Sequence, residues 1–190
     1  MFGFSAIVLL LVSTAVSVAT PLESRDAGGD ILINDLLRLD AAIRTITYAA
    51  GNYTGGVAQY QPIRESFSEV NRTNRIAYFR AMTIKPRAEN VADSNRIVAV
   101  VANPIAPDIT QAVDALIAKK ALIEEAGLSK ETAAGLNLIS YDHDTLSLAV
   151  GAKLSPVTVP AAAVPVLQID LDWRRGVVAF GGLPLAPLTM

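Results

Sequence analysis

Histidine occurs once, at His143 in the stretch YDHDT, and a lone imidazole between carboxylates is the first place to look for catalysis. A general base needs a nucleophile and an orienting acid that converge on it. On a helix, Asp142 and Asp144 point about 100° to either side of His143, so they cannot close on it as a metal cage. His143 instead shares a helical stripe with Leu136, Ile139, Leu146 and Val150, which predicts a partly buried imidazole bonded to one neighbour. The carboxylate pairs Glu124-Glu125 and Asp170…Asp172 fare no better. Adjacent residues diverge, and positions two apart lie about 200° apart on a helix, so neither pair flanks a glycosidic bond from one face. The chain has no glycine-rich phosphate loop and no HExxH motif, and the sequence predicts neither cofactor nor metal. A hydrolase would rest on His143 alone, so the sequence argues for no enzyme.

Cysteine is absent. That excludes thiol catalysis, cysteine-ligated zinc and a disulfide framework, and leaves packing to hold the fold. Two sequons, Asn52-Tyr53-Thr54 and Asn71-Arg72-Thr73, mark Asn52 and Asn71 as N-glycosylation acceptors. Asn52 falls in a turn-forming stretch, and Asn71 falls about 80° from the centre of a helical apolar stripe, on its edge. A third feature is Lys120, which sits among Val113, Leu116 and Ile123 on the face of VDALIAKKALIEEAG that ought to be buried. It either snorkels to water at the helix end, aided by Glu124 four residues on, or meets an anionic ligand at the mouth of a cavity.

The elements that carry these residues all show a period of 3.6. A first helix uses Ile33, Leu36, Leu37, Asp40, Ile43 and Ile46, with Asp30 as its N-cap and Gly51 as its stop. After GNYTGG, a long second helix repeats Ile63, Phe67, Val70, Asn74, Ala77, Ala81 and Ile84, from Pro62 to Lys85-Pro86. Asp93-Ser94 opens a short third helix that ends near Pro104, and Pro107 opens a fourth that runs on through the lysines. Ser129 begins a fifth segment that reaches Lys153. The last runs from near Pro160 to Phe180, where Gly181-Gly182 stops it and Pro165 shortens or kinks it. The short connections predict an all-α fold, an antiparallel bundle of five to six helices.

The ends and the charge set the compartment. Residues 1–19 hold the apolar run Ala6 to Val12 and small residues before Ala19, the pattern of a cleaved signal peptide. A transmembrane helix is the alternative, but Ser13, Thr14 and Ser17 interrupt the run short of the roughly 20 apolar residues required. Residues 20–29 then form a linker, 30–182 the bundle, and 183–190 a short tail without the polar spacer of a lipid-anchor signal. Net charge is −2, from 16 basic and 18 acidic residues that are scattered along the chain. That leaves no footprint for nucleic acid and no polybasic membrane patch.

Several stretches occur in a telling order: a glycine-stopped first helix, Ala92-Asp93-Ser94, Pro107-Asp108-Ile109 with ALIAKK, Asp144-Thr145-Leu146, Ala152-Lys153-Leu154-Ser155-Pro156, and Ile169-Asp170-Leu171 with Val178-Ala179-Phe180. The chain thereby resembles the fungal hydrophobic surface-binding protein and cell wall galactomannoprotein family, from about Asp30 to Phe180. The resemblance implies a secreted or wall-associated, non-enzymatic helical protein that adsorbs to hydrophobic surfaces or holds fatty acids. An excess of apolar face accords with that. The last helix carries two stripes, one of Val164, Leu167, Leu171 and Val178, the other of Val166, Ile169, Trp173, Val177 and Phe180. Such a helix is either surrounded by others or lines a cavity or an opening face. The ligand-facing positions expected are Ile43, Ile46, Ile63, Phe67, Val70, Val101, Val113, Leu116, Leu146, Leu167 and Leu171, with Lys120 at the mouth. A structural wall mannoprotein that contacts cell wall polysaccharide, or an adaptor for a secreted hydrolase, is the competing function.

Overall fold

Proline opens three of the helices, at the first turn where its missing N–H costs nothing. The computed structural model describes residues 27–84 and 90–186. These form α1 (Ala27–Asn52), a 3₁₀ turn (Ala58–Tyr60), α2 (Gln61–Thr83), α3 (Val91–Val100), an irregular turn (Val101–Ile105), α4 (Ala106–Ala118), α5 (Lys120–Glu125), α6 (Ser129–Gly151) and α7 (Val159–Ala179). No strand occurs among the described residues, and the all-helical bundle is as the periodicity predicts. The signal segment and Lys85-Pro86 lie outside the described residues.

The long helices pack in a closed ring: α1 against α2, α2 against α6, α6 against α7, α7 against α4, and α4 back against α1. Their inward stripes, among them Ile46, Ile63, Leu116, Leu136 and Trp173, form one core. α3 leans on α1, and the irregular turn after it reaches α1, α4 and α7. With no disulfide available, aspartates bonded to arginines tie helix to helix, Asp35 and Asp142 buried and Asp30 half-exposed. Arg80 of α2 donates to Asp35 of α1 at 2.6 Å, Arg75 of α2 to Asp142 of α6 at 2.8 Å, and Arg96 of α3 to Asp30 of α1 at 2.8 Å.

Several boundaries differ from the sequence reading, each for a local reason. Asp30 lies inside the first turn of α1, and its carboxylate serves Arg96 rather than capping the helix. Asn90 caps α3: its side chain accepts from the Asp93 backbone N–H at 2.7 Å and donates to the Asp93 carboxylate at 3.0 Å. α1 continues one residue past Gly51. α7 runs through Pro165 without a break. Pro165 is the seventh residue of α7, past the first turn, and its missing N–H forfeits the bond to the Ala161 carbonyl. The fourth helix does break, at Lys119 (φ −99°, ψ 7°), and α5 restarts in a new phase.

The two ends of the ring differ in density. At one end, the Tyr60 and Thr132 hydroxyls lie 2.6 Å apart and Tyr53 packs edge-on against Tyr60. Between these aromatic contacts and mid-bundle, the Phe67 ring lies directly against Gly135 of α6. A Cβ on Gly135 would stand 2.7 Å from Phe67 Cε2. Gly135→Ala is therefore expected to lower stability by about 1–2 kcal/mol, overpacking outweighing the helix-propensity gain of alanine. Chemical denaturation checks this; an unchanged or raised midpoint refutes the tight seat.

Candidate functional site

At the other end the core is not filled. The opening half of α1, the end of α6 and the opening half of α7 meet there, with α3 and its following turn across them. Leu36 and Leu39 (α1), Ile97 and Val98 (α3), Val101 and Ile105, Leu146 and Val150 (α6), and Val166 and Ile169 (α7) enclose a cavity of about 60 Å³. Space of about 10–15 Å³ on this scale admits one water, so the cavity takes a few methylene-sized groups. A groove adjoins it. Ser147, Gly151, Leu154, Ala162 and Val166 line both the cavity and a groove of about 220 Å³ between α6 and α7. The apolar cavity and the groove between α6 and α7 thus adjoin across these shared residues, and together they are the channel referred to below.

Three titratable side chains mark this channel. His143 is buried in its wall, and burial pushes the imidazole down to about 4, against a weaker upward pull from Asp144. Its Nε2 stands 3.2 Å from Ser147 Oγ and 3.7 Å from Asp170 Oδ1. Asp144 and Asp170 line the groove, and burial followed by the nearby Asp144 pushes Asp170 up to about 6. Serine, histidine and aspartate thus meet, yet not as a catalytic triad. Ser147 and Asp170 approach the same ring nitrogen, whereas a triad needs the acid on the opposite nitrogen to orient the base. No group of residues among those described is arranged to hold a metal.

Of the positions the sequence marked as ligand-facing, Val101 and Leu146 line the cavity. Ile43, Ile46, Ile63, Phe67, Val70, Val113 and Leu116 are buried in solid core, away from it. Lys120 belongs to the opposite end of the bundle. The break at Lys119 turns it outward, its side chain is 44 % exposed, and its ammonium lies 3.5 Å from Glu124. It snorkels; it does not stand at the channel mouth. Leu167 and Leu171 face solvent with Val164 and Val178, each more than half exposed, as an apolar stripe along the outside of α7. Asn52 is exposed at the end of α1, while Asn71, expected on a stripe edge, is buried in α2. His143, Ser147, Ala162 and Asp170 were not marked. The usable signal was a histidine on an apolar stripe, one turn before a serine and two turns before a glycine.

The model of the family described as Hydrophobic surface binding protein A matches residues 29–152. A search of curated protein sequences finds no match. Among solved structures, AFMP4P in complex with palmitic acid has a TM-score of 0.75 at 22 % identity, covering 80 % of this chain and 99 % of that one. Ligand binding domain 1 of the Penicillium marneffei MP1 protein, complexed with arachidonic acids, has a TM-score of 0.75 at 19 % identity, covering 80 % of this chain and 98 % of the other. Ligand binding domain 2 of the same protein, complexed with multiple arachidonic acids, has a TM-score of 0.74 at 18 % identity over 84 % and 99 %.

Proposed function

The chain belongs to the hydrophobic surface binding protein A family, and from that premise we propose that it is a secreted, non-enzymatic protein that takes one fatty acid-like chain into the α6–α7 channel. The observation that carries this is an aliphatic cavity that shares its walls with an open groove at Ser147, Ala162 and Val166. A channel of this kind recognises length and flexibility rather than shape. Each buried methylene contributes about 0.8 kcal/mol, so ten of them outweigh the ordering of a flexible chain and reach micromolar affinity. The solved relatives complexed with palmitic and arachidonic acids support the reading.

A second activity resides on the outside of α7. Val164, Leu167, Leu171 and Val178 form an exposed apolar stripe on one helix face, which supports adsorption to a hydrophobic surface. Asn52, exposed in its sequon, is the glycan acceptor this reading favours over the buried Asn71.

Native mass spectrometry of the secreted protein tests the channel reading. The expected result is a protein carrying the mass of one single-chain lipid. A bare polypeptide mass that added lipid leaves unchanged overturns it.

A further inference from the structure

Asp40 lies in the middle of α1, and its side chain is buried against the start of α4. It is within side-chain hydrogen-bonding reach of Asp108, which stands in the first turn of α4 and keeps a little exposure. A carboxylate only accepts, so two carboxyl groups bond to each other only when one of them carries a proton. Arg44 is the cation at this seam. Its Nη2 stands 3.0 Å from Asp40 Oδ2 and its Nη1 3.8 Å from Asp108 Oδ2, so one half-exposed guanidinium serves both carboxyls. The other elements packed on α1 direct their charges elsewhere. Arg80 of α2 is bonded to Asp35, beside Arg38 of α1, and Arg72 is bonded to Glu69. Arg96 of α3 is bonded to Asp30 and Asp93, and the irregular turn Val101–Ile105 has no titratable side chain.

The seam also belongs to the cavity wall. Leu39, immediately before Asp40, and Leu36, one turn before it, line the cavity, and so does Ile105, one turn before Asp108. We propose that Asp40 and Asp108 form a proton-operated clamp between α1 and α4. With one proton shared across the seam the clamp holds. When that proton leaves to solvent, two like charges face each other and the cavity end of the bundle loosens. Burial, followed by the bond to Asp108, pushes Asp40 up to about 6, against a downward pull from Arg44. In the unfolded chain an aspartate loses its proton near about 3.9, so between there and about 6 the folded state binds more protons. The clamp's contribution is therefore full below the ordinary carboxyl range and is lost as pH rises through about 6. It needs no ligand, so its test is independent of the lipid reading.

Hydrogen exchange of the secreted protein, read by mass spectrometry at pH 5.0 and at pH 7.5, tests the clamp. Asp40→Asn supplies an amide N–H that donates to the Asp108 carboxylate at either pH, which mimics the protonated clamp. At pH 7.5 this variant is expected to exchange at least about tenfold more slowly than the parent across residues 34–46 and 106–113, the equivalent of one pKa unit. Its urea midpoint at that pH is expected to rise. At pH 5.0, where the parent already holds its proton, the two proteins exchange within about threefold of each other. Comparing them at one pH cancels the intrinsic chemistry of exchange. Asp108→Asn, at the wetter carboxyl, donates to Asp40 in the same way and serves if the first variant does not fold. Exchange at pH 7.5 that is unchanged or faster in the folded variants overturns the clamp. A difference of equal size at both pH values does the same, since it would mark a packing effect with no proton in it.

Discussion

Ala162→Trp is expected to cut affinity for a pyrene-labelled long-chain lipid by about a hundredfold while the helical circular dichroism is unchanged. Ala162 is half-buried on α7 and lines both the cavity and the groove, so an indole there fills the passage between them. Its side chain grows into space rather than into packed core, which is why the fold should tolerate it. Excluding four methylenes at about 0.8 kcal/mol each forfeits about 3 kcal/mol, or two orders of magnitude in Kd. Phe67→Leu is the matched control. Phe67 sits against Gly135 in the dense half of the core, so the substitution lowers stability and leaves lipid affinity within about threefold. Full affinity in Ala162→Trp would show that the chain does not enter between α6 and α7.

The second large effect belongs to the outer stripe. Leu167→Glu combined with Leu171→Glu is expected to lower adsorption to polystyrene beads by about 30- to 100-fold, with lipid uptake by the channel intact. Leu167 and Leu171 are 59 % and 54 % exposed in the free protein. Roughly half of each side chain therefore remains to be buried on a surface, about 1–1.5 kcal/mol apiece from the value for full burial. Losing both, and having to desolvate two carboxylates, removes about 2–3 kcal/mol or more. Because the positions face solvent, stability should change by less than about 0.5 kcal/mol. An unchanged adsorption isotherm would assign surface binding elsewhere, with the exposed Phe79 and Met82 at the end of α2 the next to test.

The fold was legible because helix periodicity and proline are strong local signals. Pro62, Pro107 and Pro160 each sit where the structure begins a helix, and the stripes of α1 and α2 predict their buried faces except at Leu37, which is 42 % exposed. Pro165 does not end its helix, since a single missing N–H removes one bond from a ladder that the rest of α7 maintains. The break at Lys119 was invisible for the opposite reason: AKKAL is good helix sequence, and only the tertiary path interrupts it. The site was mostly illegible. Periodicity says which face of a helix is covered, and it says nothing of how completely the covered layer is filled. Phe67 and Leu146 look alike on their wheels, yet one meets Gly135 and the other meets a void. The outer face of α7 shows the complementary error. Leu167 and Leu171 are apolar and periodic, which reads as core, and the structure leaves them wet. Lys120 posed a real question, and the answer lies in the change of helical phase just before it.

The uneven filling of the ring has a kinetic meaning. A bundle whose cohesion is concentrated at one end can loosen at the other without approaching global unfolding, since local opening is limited by the contacts that end alone must give up. The aromatic pair Tyr53–Tyr60 and the Phe67–Gly135 seat anchor the tight end. The opening halves of α1 and α7 border the void and surrender less when they part. Amide protons should therefore exchange along a gradient, slow beside Phe67 and fast beside Ala162. A guest longer than the resting cavity then enters by spreading a weakly bound end, and the barrier it crosses is that of a breathing motion rather than of the whole fold.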